Sequence, residues 1–72
     1  MEPIEHTTEE RLRREDAAQR LRELADQLSR HNEVTFTKEG VRYRVKVPDE
    51  VTMTLEIETG GEESEIEVEL KW

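Results

Sequence analysis

Glutamates recur at alternate positions toward the C-terminal end of this sequence: Glu56 and Glu58, then Glu65, Glu67 and Glu69. Carboxylates grouped in this way could share acid–base work, hold a divalent cation, or dock on a basic surface. Glycoside chemistry needs two carboxyls facing each other across a cleft, and no motif here supplies one. Calcium needs oxygens that converge from a loop wrapped around the ion. Side chains alternating along an extended segment stand side by side on a flat face instead. What remains is an acidic docking surface, or a solvated outer face whose crowding is tolerable in salt and resists aggregation.

The other reactive residue types are scattered. His6 and His31 have no ligand spacing, and neither an HExxH nor a Cys/His pattern occurs. His31 reads as a residue at a helix C-terminus, where the helix dipole favours a base. Ser29 and Ser64 have no His and Asp at a motif spacing that would make a nucleophile. Gly60-Gly61 reads as a hairpin loop, since no helix follows it to cradle a phosphate. The basic residues of RLRRED are offset by its own acids and read as a solvated helix start. There is no cysteine, hence no disulfide and no thiolate ligand. The expectation is a protein that is not an enzyme, with no catalytic residue, no metal site and no cofactor.

Composition narrows the partners. A chain of 72 residues allows one domain, near the size at which a single core barely suffices. Only 32% of residues are hydrophobic while 42% are charged, so order depends on how the apolar residues are arranged. The net charge of −8 argues against direct nucleic-acid binding and against an anionic membrane surface. No apolar run approaches the roughly 20 residues of a membrane span. MEPIEHTTEERLRRED contains no apolar stretch of the kind a secretory signal carries, which leads to the expectation of a cytoplasmic protein.

Two periodicities organise the chain. Ala17, Ala18, Leu21, Leu24, Ala25 and Leu28 form one stripe of a 3.6-residue repeat, in a segment rich in strong helix formers. The pattern predicts a helix from about Arg13 to Arg30, with Asn32 as a left-handed cap. After Asn32 the period becomes two. Val34 and Phe36; Val41, Tyr43, Val45 and Val47; Val51, Met53, Leu55 and Ile57; and Ile66, Val68, Leu70 and Trp72 each alternate with polar residues. They predict four strands.

The turns keep every apolar residue on one face. A two-residue loop at Glu39-Gly40 pairs Phe36 with Tyr43, a three-residue loop at Pro48-Asp49-Glu50 pairs Val47 with Val51, and a four-residue loop from Gly60 to Glu63 pairs Ile57 with Ile66. Trp72 then falls opposite Val51, where its ring is expected to close the end of the apolar layer. The fold class expected is α+β, two-layer: one amphipathic helix packed on a four-stranded antiparallel meander, in a single domain over residues 13–72. For residues 1–12, the shared parity of Ile4, His6, Thr8 and Leu12 favours a short fifth strand over residues 2–8. The alternative is an earlier helix start with Thr7 and Glu10 as a capping box.

These registers also order the outer face. Arg42 falls opposite Glu56, which faces Glu67; Arg44 lies beside Thr54 and then Glu69; Glu58 faces Glu65 with no base in the row. The inner face is broader than its cover. A helix is about 10 Å across, whereas four strands span roughly 19 Å. Either the sheet curls around the helix, or another protein surface covers the remainder, a C₂ homodimer being the simplest form. The leading expectation is therefore a small acidic, non-catalytic, self-associating interaction module. Its candidate contacts are Trp72, Leu70 and Val51 on the apolar side, with Arg42, Arg44, Glu56, Glu58, Glu65, Glu67 and Glu69 on the charged side. The alternative is an acidic nucleic-acid mimic or inhibitor that binds a basic partner protein.

Three stretches, REDAAQRLRELADQL, VRYRVKVPDEV and EIEVELKW, together resemble the amphi-Trp domain, a small family named for its amphipathic final strand and its tryptophan. The resemblance runs from about Arg13 to Trp72. One departure is local: relatives commonly carry Ser just before the helix start, where this chain has Arg13. The resemblance implies the α+β architecture and supplies no activity and no site.

Overall fold

The run of Ala, Leu, Arg, Glu and Gln winds into one helix, α1 (Arg14–His31), in a computed structural model that describes residues 4–72. Glu15 and Asp16 lie in its first turn and Arg30 and His31 in its last, matching the dipole. Asn32 ends it at φ 45°, in the left-handed region expected of the cap. The start is weaker. Arg13 occupies the N-cap position in an extended conformation, and its side chain makes no capping bond. Only its carbonyl serves the helix, accepting from the N–H groups of Asp16 and Ala17 at 3.0 Å each. The capping box at Thr7 and Glu10 does not form; Glu10 pairs instead with Arg20 at 2.8 Å.

Four strands follow: β1 (Glu33–Lys38), β2 (Val41–Lys46), β3 (Thr52–Glu58) and β4 (Glu65–Lys71). Glu39 at φ 52° and Gly40 at φ 78° supply the two positive torsions of a two-residue hairpin, and Phe36 pairs with Tyr43 and Val34 with Val45. In the second hairpin Ile57 pairs with Ile66, Leu55 with Val68 and Met53 with Leu70. Both hairpins have the registers that the alternation predicts, and the chain is α+β.

The middle turn differs from expectation. β2 and β3 are not paired, and the strands form two two-stranded sheets, β1–β2 and β3–β4, in place of a continuous meander. The first ladder runs on to Val47, whose N–H donates to the carbonyl of Asn32 at 2.8 Å. Pro48 follows, which has no N–H to offer. The chain bends at Asp49 with no backbone hydrogen bond across the linker among the described residues. The fifth strand is also absent from residues 4–8, while residues 2 and 3 lie outside the described ones. That segment is held otherwise: Lys38 Nζ donates to the Glu5 carbonyl at 2.7 Å, and the His6 ring stacks on Phe36 at 4.6 Å.

Packing is confined to one half of the chain. The helix touches β1, where Gln27 Oε1 accepts from the Thr35 N–H at 3.0 Å, and touches neither strand of the second hairpin. Among the described residues no side chain is fully buried, and Met53, Leu55, Ile57, Ile66 and Val68 are all more than half exposed. The accessible surface is 7308 Å², against about 4,650 Å² for a folded monomer of this mass. The radius of gyration of 14.2 Å likewise exceeds the roughly 11 Å of a compact domain this long.

The vacant N-cap function at Arg13 generates a direct expectation. Arg13→Ser places a hydroxyl within reach of the first-turn N–H groups, and should stabilise the fold by about 1 kcal/mol. In a thermal melt followed by circular dichroism this corresponds to a Tm gain of roughly 4–8 °C.

Candidate interaction surface

With no enclosed core, the surface that matters is the apolar face of the second hairpin and its charged reverse. The strand period sends alternate residues to opposite faces. Met53, Leu55 and Ile57 therefore line up with Leu70, Val68 and Ile66 on one face. Thr54, Glu56 and Glu58 line up with Glu69, Glu67 and Glu65 on the other. Ile57 is 66% and Ile66 70% exposed, so the far end of the apolar face is open to water.

The near end is closer to cover. Val51 and the half-buried Leu70 face a cleft of about 720 Å³, shared with Leu28 and His31 at the end of the helix and with Val47 and Pro48 of the linker. Trp72 does not close this layer: 62% of it is exposed, because the register ends at Thr52 and Lys71 and the layer it would seal is not assembled.

On the charged face, Glu56 stands opposite Glu67 and Glu58 opposite Glu65, as the alternation predicts. The neutralising base does not. Arg42 and Arg44 pair with Thr37 and Thr35 on the other sheet, so Arg42 is not beside Glu56. The basic residues of β2 and the acids of β3 and β4 belong to separate sheets. Among the described residues only Lys71 reaches the cluster, 3.4 Å from Glu69. The crowding is felt at Glu67, whose carboxyl is pushed above its ordinary value of 4.5. A hydrogen bond from the Glu65 side chain is the main cause, followed by the Glu65 charge, slight desolvation and the Glu69 charge.

No other constellation gathers. Among the described residues no group of three or more histidine, cysteine or acidic side chains is placed to hold a metal ion. Among the same residues no helix is long and apolar enough to cross a membrane. Ser64 Oγ donates to Thr59 Oγ1 at 3.4 Å, a contact within the hairpin loop. Phe36 and Tyr43, paired as the alternation predicts, stack with centroids 5.2 Å apart, and the His6 ring stacked on Phe36 at 4.6 Å is the part that spacing alone missed. Its one sequence signal is the parity His6 shares with Ile4 and Thr8.

A family model described as the Amphi-Trp domain matches residues 1–72, the whole chain. No curated protein and no solved structure matches it.

The glutamate row makes stability depend on pH with a definite sign. A folded-state pKa above the unfolded one means that the folded chain binds more protons through the interval between them, so stability falls as pH rises through it. Glu67→Gln should therefore raise Tm near pH 7 and leave it unchanged at about pH 3, where the carboxyl is already protonated. Melts at both pH values check this, and added salt should shrink the gain near neutrality.

Proposed function

The chain belongs to the Amphi-Trp domain family, and from that premise we propose that it is a non-catalytic interaction module that works by self-association. The observation that carries this is the exposed area. The surface of 7308 Å² exceeds that of a folded monomer by about 2,650 Å². Two copies that covered this excess on each other would bury about 5,300 Å² in total, which is the scale of an obligate homodimer. The second hairpin gives the same reading by another route. A two-stranded hairpin is at best marginally stable in water without a third strand or a helix against its apolar face. Among the described residues of its own chain, the hairpin β3–β4 has neither.

Candidate contacts on this reading are the apolar face of β3–β4 with Val51, Leu70 and Trp72 at its near end. The charged faces set orientation: Arg42 and Arg44 are basic ground for the acids Glu56, Glu58, Glu65, Glu67 and Glu69 of a second copy. No cofactor enters, and the acidic chain has no use for nucleic acid or an anionic membrane. The expected compartment is the cytoplasm.

A second reading is favoured by the unneutralised pairs Glu56–Glu67 and Glu58–Glu65. They make an acidic stripe that a basic, nucleic-acid-binding protein surface could accept as a mimic of its ligand. Binding of that kind falls steeply with salt, because the attraction is screened. Replacing Glu65, Glu67 and Glu69 together by Gln should abolish capture of a lysine-rich peptide probe. Unaltered affinity would remove this reading.

Sedimentation velocity tests the first reading. The mass should rise with concentration toward that of two chains, with little response to salt, and a strict monomer at high concentration would sink it. Ile57→Lys sharpens the test. With Ile57 exposed in the single chain, the substitution costs a solvated monomer little, but it should dissociate a dimer that buries the position.

A further inference from the structure

We infer that the two copies join by exchanging their second hairpins, β3 of each adding to the free edge of β2 in the other. This rests on the self-association just proposed and states where the copies meet.

Strand edges supply the first argument. β1 is paired with β2 on one side, and on its other side the Thr35 N–H is taken by Gln27 of the helix. β2 has no such cover. Since the Val47 N–H points toward Asn32, the two-residue repeat turns the amides and carbonyls of Arg42, Arg44 and Lys46 outward, to an edge where no strand lies. β3 likewise has β4 on one side and, among the described residues, no strand on the other. Two uncovered edges of similar length, six residues in β2 and seven in β3, invite strand addition.

Phase and charge then select the register. Setting Tyr43 against Leu55 and Val45 against Met53 of the second copy keeps every apolar side chain on one face, whereas a one-residue slip would turn one strand inside out. The same register sets Arg42 against Glu56 of the other chain, and so returns a base to the row in which Glu56 and Glu67 confront each other. It also carries the apolar face of the incoming hairpin toward the helix stripe, where Leu21 is 58% and Leu24 40% exposed.

The linker decides between joining within one chain and joining between two. A turn at Pro48–Glu50 would bring β2 and β3 together in the same chain, yet the linker carries no backbone hydrogen bond across itself and the hairpins stand apart. A hinge of this kind, between an element and its own unfilled docking edge, is the ordinary route to an exchanged dimer. Reciprocal exchange about a two-fold axis satisfies both β2 edges and both β3 edges at once.

The chain has no cysteine, so a disulfide can report the contact without background. Arg44 and Thr54 are exposed and would face each other in the exchanged sheet, at the Cα separation a disulfide accepts. A chain with Arg44→Cys is mixed with a chain carrying Thr54→Cys, unfolded and refolded together, and oxidised. The expected product is a mixed disulfide, a shift from one chain mass to two on a non-reducing gel. A Glu62→Cys chain used in place of the Thr54→Cys one should stay unlinked. If sedimentation gives a dimer but the mixed disulfide fails to form, while a chain carrying both cysteines links within itself, exchange is overturned and self-association stands. If sedimentation gives only monomer, both fall.

Discussion

A β-strand carries rows of amide and carbonyl groups on both edges, and each row must end in another strand, a side chain or water. In this chain two tight hairpins satisfy one edge of each strand. Thr35 and Gln27 tie the outer edge of β1 to the helix. Everything else about the molecule follows from the edges that are left. With β2 and β3 unjoined, the apolar faces of the two hairpins never merge, the helix reaches only the first, and no residue in the described chain is enclosed. Backbone pairing, more than side-chain burial, holds this shape.

The same break separates the charges. A continuous sheet would have interleaved the arginines of β2 with the glutamates of β3 and β4, and mutual attraction across neighbouring strands would have offset the crowding of the acids. Apart, one hairpin is basic on its outer face and the other is acidic, with like charges directly opposed in Glu56–Glu67 and Glu58–Glu65. Along β4 itself, Glu65 and then Glu69 make Glu67 reluctant to ionise. Exposed apolar area and the crowded acids thus concentrate in one half of the chain, around β3 and β4.

Much of the fold was legible because it is local. Strong helix formers with a 3.6-residue stripe, Asn32 in the left-handed region, positive torsions at Glu39-Gly40 and strict alternation in EIEVELKW each act within a few residues, so the helix, both hairpins and both registers could be read in advance. The opposed glutamates were legible for the same reason, since hairpin register dictates which side chains face. What could not be read was whether compatible strands do pair. Parity showed that β2 and β3 would match in phase, but phase is a condition for pairing and not a cause of it. The Val47 N–H only completes the β1 ladder, while Pro48, next along the edge that would face β3, has no N–H to donate. Trp72 lost its place at the rim of the layer with that pairing, and the stacking of His6 on Phe36 arose from a contact thirty residues apart in sequence (36 − 6). Sequence by itself determined the elements, their faces and their two hairpin registers. Only tertiary structure decided that these halves stay apart, because that outcome turns on which distant group wins each backbone donor and on how much apolar width one helix can cover.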